Sequence, residues 1–122
     1  MAAEKTDHAH DAVNEVRLTG RLSQTPEERV LPSGDSVLLF RLVVDRPTNE
    51  RETTGSRQRV DVLDCAVWRG RVRASARGWA AGDTVAVVGA VRRRFFRAGG
   101  GAASRYEIEV LTGRRVRRAA SG

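Results

Sequence analysis

The stretch of sequence that decides the fold runs from Gly82 to Leu111 and reads GDTVAVVGAVRRRFFRAGGGAASRYEIEVL. Its first part is rich in valine, and its last part alternates apolar and polar residues from Tyr106 onwards. Between them lies a tip of small residues, 98–104, with three consecutive glycines. β-Branched residues on both sides of a glycine-rich break predict a β-hairpin with a flexible tip.

The stems of this hairpin carry a dense block of arginine and phenylalanine over residues 92–97. No acidic residue lies between Asp83 and Glu107. Guanidinium groups attract phosphates, and aromatic rings offer faces on which unpaired bases stack, so the pattern indicates a surface for single-stranded nucleic acid. The alternative interpretation is a solvated arginine run beside two core phenylalanines.

The charge of the chain is unevenly distributed. The net charge is +7, but residues 1–64 hold 9 basic and 12 acidic side chains, whereas residues 65–122 hold 13 and 3. Such asymmetry indicates a polyanionic partner, either nucleic acid or an anionic membrane surface. The membrane is the weaker choice, because no apolar run approaches the ~20 residues of a span and no long basic amphipathic helix is evident. The polar N-terminus does not resemble a signal peptide, which predicts a cytoplasmic protein.

The length of the chain fits one domain, flanked by two short segments. We expect a disordered lead-in over residues 1–12, a single folded domain over 13–113 and a basic C-terminal tail over 114–122. Alternation predicts strands at 13–22, 37–44 and 60–68, with a short extended piece at 29–31, and the only plausible helix spans 70–79. Gly20 inside the first strand predicts a bulge or a sharp bend.

The order of these elements predicts the fold class. It gives an all-β protein of five strands, with one short helix between strands 3 and 4 and a long β-hairpin between strands 4 and 5. This is the arrangement of the five-stranded OB-fold barrel, whose open face binds oligonucleotides.

Residue types needed for catalysis or cofactor binding are missing or misplaced. The only histidines, His8 and His10, lie in the N-terminal lead-in, so a Ser-His or Cys-His nucleophile pair would require that segment to fold back. The single Cys65 excludes an intramolecular disulfide and a Cys-rich zinc site, and its apolar strand predicts a buried, inert thiol. No phosphate-binding loop or dinucleotide motif is present. The sequence therefore predicts a binding protein without cofactor or metal.

Five segments in order resemble the bacterial single-stranded-DNA-binding protein family. They are NEVRLTGRL at 14–22, the turn pair TPE at 25–27 and PSG at 32–34, FRLVV at 40–44, GDTVAVVGAVR at 82–92 and RYEIEV at 105–110. The spacing from Trp68 through the helix to Gly82 also fits without a gap. The resemblance covers residues 14 to about 113. It implies a homotetramer of OB-folds that binds single-stranded DNA without reading its sequence, in DNA replication, repair or recombination.

The resemblance also implies which residues touch DNA. Stacking positions fall on Trp68 and Phe96, and basic contacts fall on Arg41 of the second strand and on the hairpin residues Arg92, Arg93, Arg94 and Arg97.

The alternation of side chains bears on the aromatic residues. Trp68 shares a strand face with Asp64 and Ala66, which favours a DNA-facing ring, whereas Trp79 at the end of the helix is expected in the core. Phe95 and Phe96 are adjacent and point opposite ways in a strand, so we expect one to be packed, and the resemblance favours Phe96 as the exposed ring.

Several departures from the family pattern qualify this picture. Positions near Arg46 and at Val62, which often carry stacking tryptophans, lack an aromatic here, so the affinity is expected to depend more on arginine and on salt. The chain ends in arginines and small residues instead of an acidic, hydrophobic tip. It therefore looks like a short paralogue, and recruitment of repair proteins by an acidic tail is not expected.

Two other functions remain open on the sequence alone. One is an RNA-binding or mixed nucleic-acid OB module, because backbone charge and stacking act on either polymer. The other is an OB subunit for protein assembly, whose basic face binds an acidic partner tail.

Overall fold

A computed structural model describes residues 11–49, 55 and 57–120, and it shows a closed barrel. The described elements are β1 Val16–Leu22, β2 Glu27–Val30, β3 Ser36–Asp45, β4 Val60–Val67, α1 Arg71–Ala76, β5 Thr84–Ala98 and β6 Gly101–Arg117. Five strands form the ring in the order β1-β5-β6-β4-β3, and β3 pairs back with β1. All pairings are antiparallel except that of β4 with β6, and α1 lies between β4 and β5. The predicted OB-fold barrel is confirmed.

The remaining strand, β2, lies outside the ring. Glu27 to Val30 pairs only with β3, and all four of its residues are exposed. The sequence predicts a short extended piece here but not its pairing, so the sheet has one strand more than the five expected. α1 is shorter than the predicted 70–79: it begins after Gly70, whose φ of 91° is not helical, and it ends at Ala76 with Arg77 as its C-cap, after which Gly78 bonds the carbonyl oxygen of Ser75 in a tighter turn.

The core of the barrel consists of alternating apolar residues from every ring strand together with α1. Leu42, Val67 and Val85 are fully buried. Trp79 is 3% exposed and meets Phe40 edge to face, with ring centroids 5.7 Å apart. This confirms the predicted core position of Trp79. None of the described helices is long and apolar enough to cross a membrane.

Two glycines permit close approach of neighbouring strands. β1 pairs with β5 from Val16 to Arg21 and with β3 at Arg21 and Leu22, so it changes partner near Gly20. A Cβ on Gly20 would overlap the carbonyl oxygen of Val43, and a Cβ on Gly89 would overlap that of Glu109. The bend expected at Gly20 agrees with this change of partner.

β6 continues beyond the predicted domain boundary at 113. Arg114, Arg115 and Arg117 pair with Ala86, Val85 and Thr84 of β5. Arg115 also donates to the carbonyl oxygen of Gly78 at 3.1 Å. The expectation that residues 114–122 form a tail is therefore wrong for 114–117, because backbone pairing holds even an arginine-rich segment in the barrel. Of the predicted lead-in 1–12, residues 1–10 lie outside the described residues, as do residues 50–54 and 56 between the second and third predicted strands.

The buried carboxylate of Asp83 fastens the end of β6 to the turn before β5. It accepts hydrogen bonds from the backbone N–H groups of Ala80 at 2.9 Å and Ala119 at 2.8 Å, and Arg115 lies 3.5 Å away. The hydrogen bonds from Ala119 and Ala80, with the charge of Arg115, hold the pKa of Asp83 below its ordinary value. A carboxylate with a lowered folded pKa stabilises the fold above its unfolded pKa, and this contribution is lost as the pH falls through the folded pKa.

We predict that Asp83→Asn lowers the free energy of unfolding at pH 7 by about 1–3 kcal/mol, because an amide cannot accept both backbone bonds with a full charge. The difference in the free energy of unfolding between this variant and the wild type becomes smaller in acid, below the ordinary aspartate pKa of about 3.9. Urea unfolding at pH 7 and at acid pH measures both effects. The exposed Asp11→Asn is the control, and equal stability of Asp83→Asn and wild type at pH 7 contradicts the role of this carboxylate.

Candidate nucleic-acid interface

The β5–β6 hairpin extends past the end of the barrel, and it presents two faces with different residues. Cross-strand partners share a face, and successive residues alternate between faces. We call the outer face the side that continues the exterior of the barrel; it carries Arg92, Arg94, Phe96, Arg105, Glu107 and Glu109. We call the second face the side that continues from the buried Ile108; it carries Arg93, Phe95, Arg97, Ser104 and Tyr106.

A β-bulge decides which side the glutamates face. Gly89 pairs with Val110, whereas Val88 pairs with Thr112, so Leu111 is an extra residue on β6. Gly113 and Val110 both point into the core although they are three positions apart. The bulge thus shifts the alternation of β6 by one residue and directs Glu107 and Glu109 to the outer face.

The arginines of the outer face are bound by carboxylates. Arg94 Nε lies 2.6 Å from Glu107 Oε1, and its Nη2 lies 3.4 Å from Glu109 Oε1. Arg92 Nε lies 3.1 Å from the same Glu109 oxygen. On β3, Arg41 Nε lies 3.2 Å from Asp64 Oδ1. Three of the arginines that the sequence indicates for phosphate contacts are therefore already oriented and paired in the free protein.

Trp68 follows β4 and lies on the outer side, as predicted, but it is only partly exposed. The guanidinium carbon of Arg94 lies 5.1 Å from the centre of its ring, within the range of a cation–π contact. The indole N–H is buried and finds no acceptor within the described part of the chain. A base that stacks on Trp68 therefore competes with, or packs beside, the Arg94 guanidinium.

The two phenylalanines are both exposed, so the expectation that one of them is packed is wrong. Phe96 is 43% exposed on the outer face, with Arg105 5.7 Å from its ring centre. Phe95 is 72% exposed on the second face. The physical reason is that the hairpin extends beyond the barrel, where no second layer from the described part of the chain covers either side.

The structure brings together only part of the predicted set. Trp68, Arg41, Arg92, Arg94 and Phe96 share the outer side, whereas Arg93 and Arg97 lie on the second face. Neighbouring residues of a strand point to opposite faces, which is why Arg93 is separated from Arg92 and Arg94.

Between the base of the hairpin and β2 the outer side forms an open cleft of about 240 Å³. Arg29 and Arg105, which sequence reasoning missed, line it together with Arg41, and Asp64 and Glu107 lie among them. Cys65 lies beneath this cleft, fully buried. Burial, with the nearby charges of Asp64 and Glu107, raises the pKa of its thiol to about 12, which keeps it protonated and unreactive.

The positions where the sequence lacks a stacking ring carry other side chains. Arg46 Nη2 lies 2.8 Å from Asp61 Oδ1, and this arginine holds the pKa of Asp61 below its ordinary value. Val62 is exposed. Among the described residues, no three His, Cys, Asp or Glu side chains come together in a way that would hold a metal ion.

Comparison with known proteins decides the family. The model of the family described as the single-strand binding protein family matches residues 13–116. This chain belongs to the single-strand binding protein family. The matched range contains all of the barrel ring except Arg117 at the end of β6, together with Trp68 and both faces of the hairpin.

Several relatives of this family member are bacterial. It is 33% identical over 84 residues to a single-stranded DNA-binding protein of Oceanobacillus iheyensis, and the aligned residues make up 69% of this chain and 50% of the relative. It is 35% identical over 82 residues to single-stranded DNA-binding protein 3 of Listeria innocua, and there the aligned residues make up 67% of this chain and 49% of the relative. The chain therefore spans about half the length of the curated relatives that it matches.

A solved structure shares the fold of this family member. It is described as the Plasmodium falciparum SSB complex with ssDNA and superposes with a TM-score of 0.68, covering 88% of this chain and 96% of that one. The sequence identity is 21%, so the likeness shows a common barrel.

Proposed function

We propose that this chain binds single-stranded DNA without reading its sequence, as a binding protein and not an enzyme. The observation that carries the proposal is the outer side of a family barrel on which two accessible rings, Trp68 and Phe96, lie beside arginines. Stacking of a base on an aromatic ring contributes about 1–3 kcal/mol and is tolerant of sequence, because every base has a π face. Arginine adds contacts to the phosphate backbone, which carry no sequence information.

The carboxylates of the outer face set the electrostatics of this binding. Glu107 is 5% exposed, so its charge is compensated mainly by Arg94 in the free protein. When a phosphate approaches, Arg92 and Arg94 either leave their carboxylate partners or bind the phosphate and the carboxylate together. The favourable free energy of the phosphate contact is therefore smaller than it would be for unpaired arginines. These pairs moderate the strong salt dependence that the arginine count suggests.

The biological setting follows from this chemistry. Single strands are exposed in DNA replication, repair and recombination, so we place the protein in these processes, at the nucleoid. We further propose a homotetramer, on the basis of the family resemblance. Light-scattering mass, measured with and without a long oligo-dT, tests that assembly.

Competition binding tests the proposed function. A labelled oligo-dT is displaced by unlabelled oligo-dT, by duplex DNA of equal length and by a matched RNA oligomer. We predict strong displacement by oligo-dT and weak displacement by duplex, because duplex bases are already stacked on one another and cannot lie on Trp68 or Phe96. Equal displacement by duplex contradicts the proposal. Stronger displacement by RNA assigns the protein to RNA, and a lack of saturable binding favours an assembly module.

The two tryptophans serve as built-in probes of the binding face. Oligo-dT should quench part of the fluorescence, because a base can stack on Trp68 but cannot reach Trp79 in the core. Trp68→Phe should remove most of the quench and weaken binding modestly, since a smaller ring still stacks. Trp79→Phe should keep the quench and lower stability, by less than the ~3–5 kcal/mol typical of truncation to alanine. Loss of the quench in Trp79→Phe would mean that the faces are reversed.

Release of Arg92 tests whether this arginine binds phosphate. Glu109→Gln removes the carboxylate that Arg92 shares with Arg94, with little change of shape, while Arg94 keeps its bond to Glu107. We predict tighter binding of oligo-dT, and a log–log salt slope steeper by about 0.7 for the additional phosphate that the released Arg92 neutralises.

Glu28→Gln is the matched control for this substitution. Glu28 also pairs with two arginines, Arg73 and Arg77, but beside α1 and away from the hairpin. An unchanged slope in Glu109→Gln, or an equal change in both variants, shows that Arg92 does not contact phosphate.

A further inference from the structure

The second face of the hairpin carries an exposed aromatic cluster that the proposed function does not use. The guanidinium carbon of Arg93 lies 5.2 Å from the ring centre of Phe95 and 5.6 Å from that of Tyr106. The same guanidinium bonds Ser104 Oγ through Nε at 3.2 Å and Nη2 at 3.1 Å. Phe95 is 72% and Tyr106 is 65% exposed. Two rings and one cation are thus held together in open solvent.

The charge of this face differs from that of the outer face. The bulge directs Glu107 and Glu109 to the other side, so the hairpin residues that share a side with Arg93 include no acid. In the part of the chain that the structure describes, neither Arg93 nor Arg97 lies within ion-pair distance of a carboxylate. The contacts of Arg93 are neutral, so its full positive charge stays available to a phosphate.

The tip of the hairpin offers a path between the two faces. Gly99, Gly100 and Gly101 bring no side chains to the turn, and a shallow hollow there is lined by Arg97 and Ala102. A sugar–phosphate backbone can approach a glycine turn closely, because no Cβ stands in the way. Among the described residues, no atom beyond the adjacent residues of the chain lies within 4 Å of the Cβ positions of these glycines.

From this geometry we propose that the second face is a further base-stacking site, on which Phe95 and Tyr106 receive bases and Arg93 contacts the backbone. The inference rests on the proposed function: the single strand bound on the outer face continues across the glycine tip to the second face. The complementarity of an acid-free cationic face with a polyanion selects this occupant over an apolar protein surface. The single strand then contacts both faces of the hairpin.

Adjacent reporters on opposite faces test the proposal. In a Trp68→Phe background, Phe95→Trp places an indole on the second face, and Phe96→Trp places one on the outer face. Both substitutions are of exposed rings, so melting temperatures should not change. We expect a short oligo-dT to quench only Phe96→Trp and a longer oligo-dT to quench both reporters.

A double truncation gives the matching affinity test. Phe95→Ala with Tyr106→Ala should weaken binding of the longer oligo-dT about tenfold or more, and leave binding of the short one nearly unchanged. Quenching of Phe96→Trp at every length, with Phe95→Trp silent and affinity unchanged, overturns this inference and leaves the proposed function intact. Failure of wild-type protein to bind any oligo-dT overturns both. A fall in light-scattering mass in the double variant, without DNA, shows that the face binds a second copy of the chain and also overturns it.

Discussion

The antiparallel pairing of β5 with β6 runs from Thr84 and Arg117 at one end to Ala98 and Gly101 at the other. The arrangement of the hairpin depends most on one β-bulge in this pairing, at Leu111. On the C-terminal side of Leu111, Gly113 of β6 faces the core beside Trp79. On the N-terminal side, Ile108 and Val110 face the core. Without the extra residue, Glu107 and Glu109 would point inward, where two carboxylates without full partners would cost far more than the fold can supply. The bulge therefore protects the core and sorts the charges of the hairpin at the same time.

This sorting gives the hairpin two different faces, each of which we propose as a binding surface. On the outer face, acids hold the arginines in place. The binding of a single strand that we propose there depends on rings and on an exchange of charge partners. On the second face, Arg93 is held by Ser104 and two rings, and no hairpin acid opposes a phosphate. The first surface is ordered but partly neutralised, and the second is cationic and more exposed. A single strand that uses both combines stacking with unscreened backbone attraction.

Much of this fold was accessible from the sequence, because the relevant signals are local. Alternation located the ring strands, the glycine-rich tip located the hairpin, and Trp79 at the end of a helix was placed correctly in the core. The extension of β6 through Arg114, Arg115 and Arg117 was missed, because an arginine run resembles a solvated tail until its pairing with β5 is known. The pairing of Arg94 with Glu107 depends on cross-strand register, which the bulge sets and which no local pattern reveals. The exposure of Phe95 depends on how far the hairpin extends beyond the barrel, a tertiary property.

Photochemical cross-linking of the full chain to a long oligo-dT that carries 5-iodouracil measures most directly where single-stranded DNA lies. Tryptic peptides locate the cross-links: residues 60–69 contain Trp68 of the outer face, residues 106–114 contain Tyr106 of the second face, residues 95–97 contain one phenylalanine from each face, and residues 78–92 contain the buried Trp79. We predict cross-links in the first three peptides, with none in the fourth and none to duplex DNA of equal length. Cross-links confined to other parts of the barrel, or equal yields with duplex, would contradict the proposed binding of single-stranded DNA on the hairpin.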